Sequence, residues 1–418
     1  MRKEMKYIII VPDGAADEPQ ASLDGKTPLQ AANTPACDFL ASQGIVGAAW
    51  NVPEQLGAGS DVANMSLLGY DPLENFSGRA PLEAAATDIQ LGPNDWAVRC
   101  NLVTLSDEEK LADKKMKSFS AGHITTEEAT ALLKTLQEEL GDERFEFHPS
   151  VAYRNLLILR FTEGETLNLE ATTPPHDIIG ESVAQYLPSG ESKEFFCGIM
   201  ERSEAILREH PVNLARVAAG KEPATHVWLW SQGKMPQLAP FAELHDGVSG
   251  AMITAVDLLR GLAKLIGWSL IEVPGATAYL DTDYTAKGEY AKKALDDYDL
   301  VFVHVEAPDE AAHEGSAEEK VRAIERIDEE IILPIYEHCA ENFELWRMLV
   351  IPDHETLIRT KTHAHGLVPW LIAGYGVPSD TSFNFSEATA KESDHQFPAG
   401  HQLMEFFLKG IDVVEGND

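Results

Sequence analysis

The chain predicts an α/β fold: a mostly parallel sheet sandwiched by helices, with a smaller α+β domain inserted into it. Three observations carry this expectation. Short β-branched runs stop abruptly at polar or glycine-containing segments, as in YIIIVPDG from Tyr7, DLVFVHVEAPD from Asp299, RMLVIPDHE from Arg347 and WLIAGYG from Trp370. Apolar strands without alternation suit burial on both faces, as in a parallel sheet covered by helices. Between them lie helical patterns with apolar residues three and four apart, in SGAMITAVDLLRGLAKLIG from Ser249 and AEEKVRAIERIDEEIILPIYEHC from Ala317. Strands alternating with helices argue for α/β layering. The middle of the chain, from about Asn101 to Pro188, has a different texture.

Taken in order, the first run ends in Pro-Asp-Gly and reads as a buried strand. The basic start MRKEMK precedes it, but the apolar run is too short for a secretion signal. A helix-like run begins near Val62, after the small residues Gly57, Ala58 and Gly59. The middle stretch combines NLVTL, a charged DEEKLADKK, a helix near TTEEATALLKTLQEEL, then FEFHP and YRNLLILRF. We expect residues 101–188 to form the inserted unit, and 1–100 with 189–418 to form the core. Neither internal repeats nor low-complexity segments interrupt the chain.

Composition narrows the function. At 418 residues the chain is long for one core. A 44% apolar and 8% aromatic content is that of an ordinary globular protein. A formal charge of −35 argues against nucleic acid, whose backbone selects basic surfaces. No stretch approaches the roughly 20 apolar residues of a membrane span. Cys37, Cys100, Cys197 and Cys339 lack metal-type spacing and suit free thiols in a reducing, cytoplasmic setting.

The chemistry gathers where strands end. In open α/β sheets ligands collect at the carboxyl ends of strands. Asp13, Asp309, Asp353 and His354 each fall just past a predicted strand. Asp309 and His313, four apart on a helix, share one face. His363 and His365 follow in THAHGLVP, and only one of them need be a ligand. Alone, each segment reads as a cap or a surface histidine, but three in order point to divalent cations held by oxygen and nitrogen donors. Paired cations are a device for phosphoryl chemistry. Ser60, at the start of the helix-like run, is placed to meet an anionic phosphoryl group, or simply to cap the helix. Arg79, Arg99, Arg154 and Lys287 are candidate anion binders, each also readable as a surface charge. His123 and the pair His176-Asp177 could serve acid–base work or a turn.

The order Asp13, Ser60, Asp309-x-x-x-His313, Asp353-His354, His363 resembles the alkaline phosphatase superfamily. More narrowly, the chain is similar to the archaeal-type cofactor-independent phosphoglycerate mutases. The matching stretches include IIIVPDGAAD, GSDVANMSLLGYDP, SGRAPLEAAA, SAGHITTEEA, TPPHDIIG, WLWSQGKMP, PGATAYLDTDYTAK, VFVHVEAPDEAAHEG and IPDHET, and they cover most of the chain. The resemblance implies an alkaline-phosphatase-like core with an inserted cap. It implies one cation held by Asp309, His313 and His363, and another by Asp13, Ser60, Asp353 and His354. Manganese is the usual metal, with magnesium, zinc or cobalt as alternatives, and bisphosphoglycerate is not required. Ser60 would take the phosphoryl group from 3-phosphoglycerate and return it to the 2-hydroxyl. Lys287 would bind phosphate, while Arg79, Arg99, His123, Arg154, His176 and Asp177 fall in segments that would hold the small phosphorylated hydroxy acid.

Two departures stand out. Ala58 replaces a proline common before the Gly-Ser, and Thr362-His363-Ala364-His365-Gly366-Leu367-Val368-Pro369 lacks the family's Asp/Asn-Pro turn and gains a histidine. His363 aligns as the ligand, with His365 as the alternative. Competing activities are transfer of phosphate to homoserine, metal-dependent phosphate hydrolysis, and a non-enzymatic relative with a decayed site.

Overall fold

A computed structural model describes residues 5–170, 172–379 and 384–410. The chain divides into two compact units, Met1–Phe76 with Gln237–Asp418, and Ser77–Pro236.

The first unit is built on an eight-stranded sheet in the order Gln396–Phe397, Ile45–Ala49, Val368–Gly374, Trp346–Val350, Lys6–Pro12, Leu300–Val305, Gly250–Ile253, Ser269–Leu270. All run in one direction except Val368–Gly374, which is antiparallel to both neighbours. Helices cover both faces, and the central strand shows why it is apolar throughout. Ile8 and Ile10 point into one layer with Leu295, Ile327, Ile331 and Ile335, while Tyr7, Ile9 and Val11 point into the other with Leu262, Phe302 and Phe407. Burying each such aliphatic side chain stabilises the fold by roughly 1.5–3 kcal/mol. The four β-branched runs singled out in the sequence are all strands of this sheet.

Register then positions the site. Lys6–Pro12 lies between Leu300–Val305 and Trp346–Val350 and is parallel to both, so their carboxyl ends emerge side by side. Asp13 follows the first, the Ala307–Glu314 helix the second, and Asp353-His354 the third. Gly315, with φ of 80°, ends that helix, and Ser316 caps the next, its hydroxyl accepting from the Glu319 N–H.

The second unit is an antiparallel sheet with helices. Trp96–Leu105 pairs with His226–Gly233 on one side and Arg154–Leu159 on the other, and Phe145–His148 extends the sheet. Thr126–Leu140 and Lys193–Arg208 cover one face, contributing Leu132, Leu136, Phe196 and Met200 to its core. Arg79–Ala86 covers the other with Ala80 and Ala84. This unit is wider than the expected 101–188. Its central strand begins at Trp96, and its partner His226–Gly233 returns well beyond Pro188, so pairing carries both ends of the unit outward. The four cysteines are free thiols, and among the described residues no helix is long and apolar enough to cross a membrane.

Candidate active site

Two ligand sets meet at the carboxyl ends of the three central strands. In the first, Asp309 and His313 face one another across a helical turn, with Asp309 Oδ2 3.1 Å from His313 Nε2. The hairpin Glu355–Leu357 with Thr362–Ala364 brings His363 over them. His363 Nε2 lies 3.5 Å from Asp309 Oδ1 and 3.1 Å from His313 Nε2. His313 Nδ1 donates to the Lys361 carbonyl at 2.9 Å, which orients the ring with Nε2 toward the cluster.

The second set is buried more deeply. Asp13, Asp353 and His354 are at most 2% exposed. His354 Nε2 is 3.4 Å from Asp13 Oδ1 and 3.5 Å from Asp353 Oδ2. Asp353 is oriented by its neighbours, its Oδ1 accepting from the N–H groups of Gly14 and His354 and its Oδ2 from Asn64 Nδ2 at 2.8 Å. Ser60 is the first residue of the Ser60–Leu67 helix, and Gly59 occupies the N-cap position. Its hydroxyl therefore does not serve as the cap. Ser60 Oγ sits 3.1 Å from His354 Nε2 and 3.4 Å from Asp13 Oδ2.

Of the paired histidines, the structure brings His363 to the cluster. His365 Nε2 instead donates to the Leu56 carbonyl at 2.9 Å. Lys287, 1% exposed, donates to the His304 carbonyl at 3.0 Å on the strand that leads to Asp309.

Sequence reasoning missed His304 and Glu306. His304 Nε2 lies 3.1 Å from Asp13 Oδ2, and Asp13, His304 and Asp353 offer ligand atoms within 4.8 Å of one another. The signal was present as a histidine inside the otherwise apolar VFVHV strand. Glu306, at the following helix start, groups in the same way with Asp309 and Glu310. Asn51 and Asn64, which brace Asp353, carry no such signal because amides are common on any helix or loop.

The remaining sequence-predicted residues lie in the second unit, where aromatic rings link three of them, Arg154, His176 and Arg99. The Arg154 guanidinium lies 5.9 Å from the Tyr153 ring, and Tyr153 packs on Phe119 at 5.4 Å. Phe119 packs on His176 at 6.1 Å, and His176 on Trp230 at 5.8 Å. Arg99 lies over the other end, 4.6 Å from the Trp230 ring, and is paired with Glu83. Asp177 is adjacent, with Oδ1 3.6 Å from His176 Nε2. His123 is exposed on a turn with φ of 53°, and Arg79 opens the Arg79–Ala86 helix.

The donor set fits divalent cations. Three aspartates and Glu306 are packed together, and among the described residues Asp13 Oδ1, Glu306 Oε2 and His304 Nδ1 find no partner with hydrogen-bond geometry. Burial and the neighbouring Asp353 and Asp309 raise the Asp13 carboxyl well above the usual carboxylate range. Burial, with Asp309 beside it, pushes Glu306 up to about 8. Burial acts on Asp309 too, but hydrogen bonds from His313 and His363 outweigh it and hold that carboxyl well below the usual range. Such crowding of carboxylates is relieved by a positive charge placed among them.

These shifts set a pH dependence for the metal-free protein. Glu306 and His313, the latter lifted to about 9 by its hydrogen bond to Asp309, bind protons more tightly folded than unfolded. Their contributions are complete below the unfolded pKa values and are lost as pH rises through about 8 and about 9. Burial drops His304 to about 4, so its contribution is lost only as pH falls below the usual histidine value of 6.5. Lys287, lowered to about 8 by burial, acts in the opposite sense to Glu306 and His313 only above that value. Between about pH 6.5 and 8 the melting temperature in EDTA is therefore expected to fall. A melting series that stays flat or rises across that window contradicts this.

The family profile described as 2,3-bisphosphoglycerate-independent phosphoglycerate mutase matches residues 41–213. The protein of that name from Methanosarcina barkeri is 48% identical over 97% of this chain and 100% of its own length. A Methanothermobacter thermautotrophicus protein named 2,3-bisphosphoglycerate-independent phosphoglycerate mutase 2 is 47% identical over 97% of each. Among solved structures, a Pyrococcus horikoshii protein superposes with a TM-score of 0.80 at 27% identity, over 97% of both chains. The cofactor-independent phosphoglycerate mutase of Thermoplasma acidophilum gives 0.65 at 25% identity, over 97% of this chain and 99% of its own. With matches at this identity running nearly end to end, the chain belongs to the family of 2,3-bisphosphoglycerate-independent phosphoglycerate mutases.

Proposed function

We propose that the protein interconverts 3-phosphoglycerate and 2-phosphoglycerate, with the phosphoryl group resting on Ser60 between two transfers. The observation that carries this reading is the Ser60 hydroxyl, held at a helix N-terminus within 3.4 Å of Asp13 and 3.1 Å of His354. In the first transfer Ser60 Oγ forms a bond to phosphorus as the bond to the 3-oxygen of glycerate breaks. In the second, the 2-oxygen attacks and Ser60 Oγ leaves. The N-terminal end of the Ser60–Leu67 helix favours the negative charge of the phosphoryl group. Lys287 is the nearby buried cation proposed to bind phosphate.

Asp309, His313 and His363 would hold one divalent cation, and Asp13, Ser60, Asp353 and His354 the other, with manganese our choice over magnesium, zinc or cobalt. When bound, paired cations stabilise charge on the attacking and leaving oxygens. We assign the first unit as the catalytic core and the second as the cap. Arg79, Arg99, His123, Arg154, His176 and Asp177 are the cap's proposed substrate-holding set. A mutase must retain glycerate between transfers and keep water from the phosphoserine, which is the task of such a cap. The free thiols suit a reducing compartment, and we place the enzyme in the cytoplasm.

The test is the purified full-length protein with manganese and 3-phosphoglycerate, without bisphosphoglycerate, followed by phosphorus NMR. Accumulation of 2-phosphoglycerate is expected. Release of free phosphate in its place would favour a phosphatase. Inactivity here combined with phosphorylation of homoserine would sink the mutase assignment.

A further inference from the structure

One hydroxyl stands between the two ligand sets. Thr356 is fully buried on the strand Glu355–Leu357. Its Oγ1 lies 2.5 Å from Asp309 Oδ1, in one set, and 3.2 Å from His354 Nδ1, in the other. A threonine hydroxyl has a single proton to donate, and an ionised carboxylate can only accept. The proton therefore goes to Asp309. Toward His354 the oxygen presents lone pairs alone, so Nδ1 must be the protonated ring nitrogen. That leaves the lone pair on Nε2, the nitrogen that faces Ser60 Oγ and Asp13.

The backbone of Thr356 is fixed as closely. Its N–H donates to the Ala16 carbonyl at 3.2 Å, and its carbonyl accepts from Lys320 Nζ at 2.7 Å. Lys320 is itself wholly buried, paired with Asp17 at 2.8 Å and bonded to the Ala16 carbonyl. On another side, Gly14 approaches so closely that a Cβ there would lie 2.5 Å from Thr356 Oγ1 and 2.6 Å from Asp309 Oδ1. Its φ of 61° also favours glycine.

We infer that Thr356 is a positioning residue that couples the two sets, orienting Asp309 and fixing His354 as the Nδ1–H tautomer. This rests on the two-cation reading above. Valine keeps the shape of threonine and removes the hydroxyl, whereas serine keeps the hydroxyl.

Two measurements test it. Long-range proton–nitrogen NMR of histidine-labelled, metal-free full-length protein is expected to show His354 protonated at Nδ1, and an Nε2–H tautomer overturns the inference. Manganese binding followed by electron paramagnetic resonance is expected to weaken by about 10–100-fold in Thr356→Val. It should return to near wild type in Thr356→Ser, with the metal-free variants still melting as folded proteins. Wild-type affinity in a folded Thr356→Val overturns the inference and leaves the two-cation reading standing. Wild-type protein that binds no manganese overturns both. Should the valine variant fail to fold, the tautomer of the wild-type protein still decides.

Discussion

Ser60→Ala is expected to lower kcat by at least about 10⁴-fold while leaving the fold intact. Two physical readings of Ser60 make opposite forecasts. As a capping residue, its loss would cost about 1 kcal/mol of stability and leave chemistry untouched. As the nucleophile, its loss would end turnover and leave stability nearly unchanged. The helix begins with Gly59 as the cap, and the Ser60 hydroxyl is aimed at Asp13 and His354. Alanine is also the best helix former for the vacated position. Steady-state rates by phosphorus NMR, with a urea melt of the same preparation, separate the two. Full activity in the variant would end the covalent reading.

The same hydroxyl governs isotope transfer. If phosphate rests on Ser60 and returns to the same glycerate, labelled glycerate added in bulk should enter product only as fast as glycerate escapes the site. The alanine variant should show neither conversion nor exchange, since the same hydroxyl serves both transfers.

Much of the core was legible because strands buried on both faces have little choice of residue. Ile8, Ile9 and Ile10 are all 0% exposed, and an uninterrupted β-branched run is the signature of that environment. Ligands at the ends of such strands follow from topology, so Asp13 and Asp353 were readable as soon as the strands were. The reversed direction of Val368–Gly374 was not, because its apolar run looks the same in either direction. The boundaries of the second unit were hidden for another reason. His226–Gly233 belongs to it through pairing with Trp96–Leu105, across more than a hundred residues, and no local composition marks such a bond. At the site, groups that touch a prospective ligand stood out by residue type, whereas Thr356, Asn64 and Asn51 act through hydrogen bonds that only the folded chain brings together. His304 is the intermediate case, a polar interruption of a strand whose partner Asp13 lies just past the end of the neighbouring strand.

His363→Ala and His365→Ala, two residues apart, should differ sharply. His363 Nε2 converges with His313 Nε2 at 3.1 Å and with Asp309 Oδ1 at 3.5 Å. Removing it deletes one donor from a three-residue set and leaves Asp309 and His313 to bind alone. Losing a cation that stabilises the transferring group costs several kcal/mol of the barrier, or about 10³-fold in kcat/KM. His365 reaches the Leu56 carbonyl at 2.9 Å and meets none of the cluster, so its alanine variant should stay within about threefold of wild type, a net hydrogen bond being worth about 1 kcal/mol. Metal binding distinguishes the two variants without turnover. A cation present at about 100 times its Kd stabilises the native state by about 2.7 kcal/mol per site, so manganese should raise the melting temperature of wild type and His365→Ala alike. His363→Ala should gain only the part contributed by Asp13, Ser60, Asp353 and His354. Equal loss of activity and of manganese-induced stabilisation in both variants would mean that the loop is rearranged in the working enzyme. A larger loss in His365→Ala would transfer the ligand role to that residue.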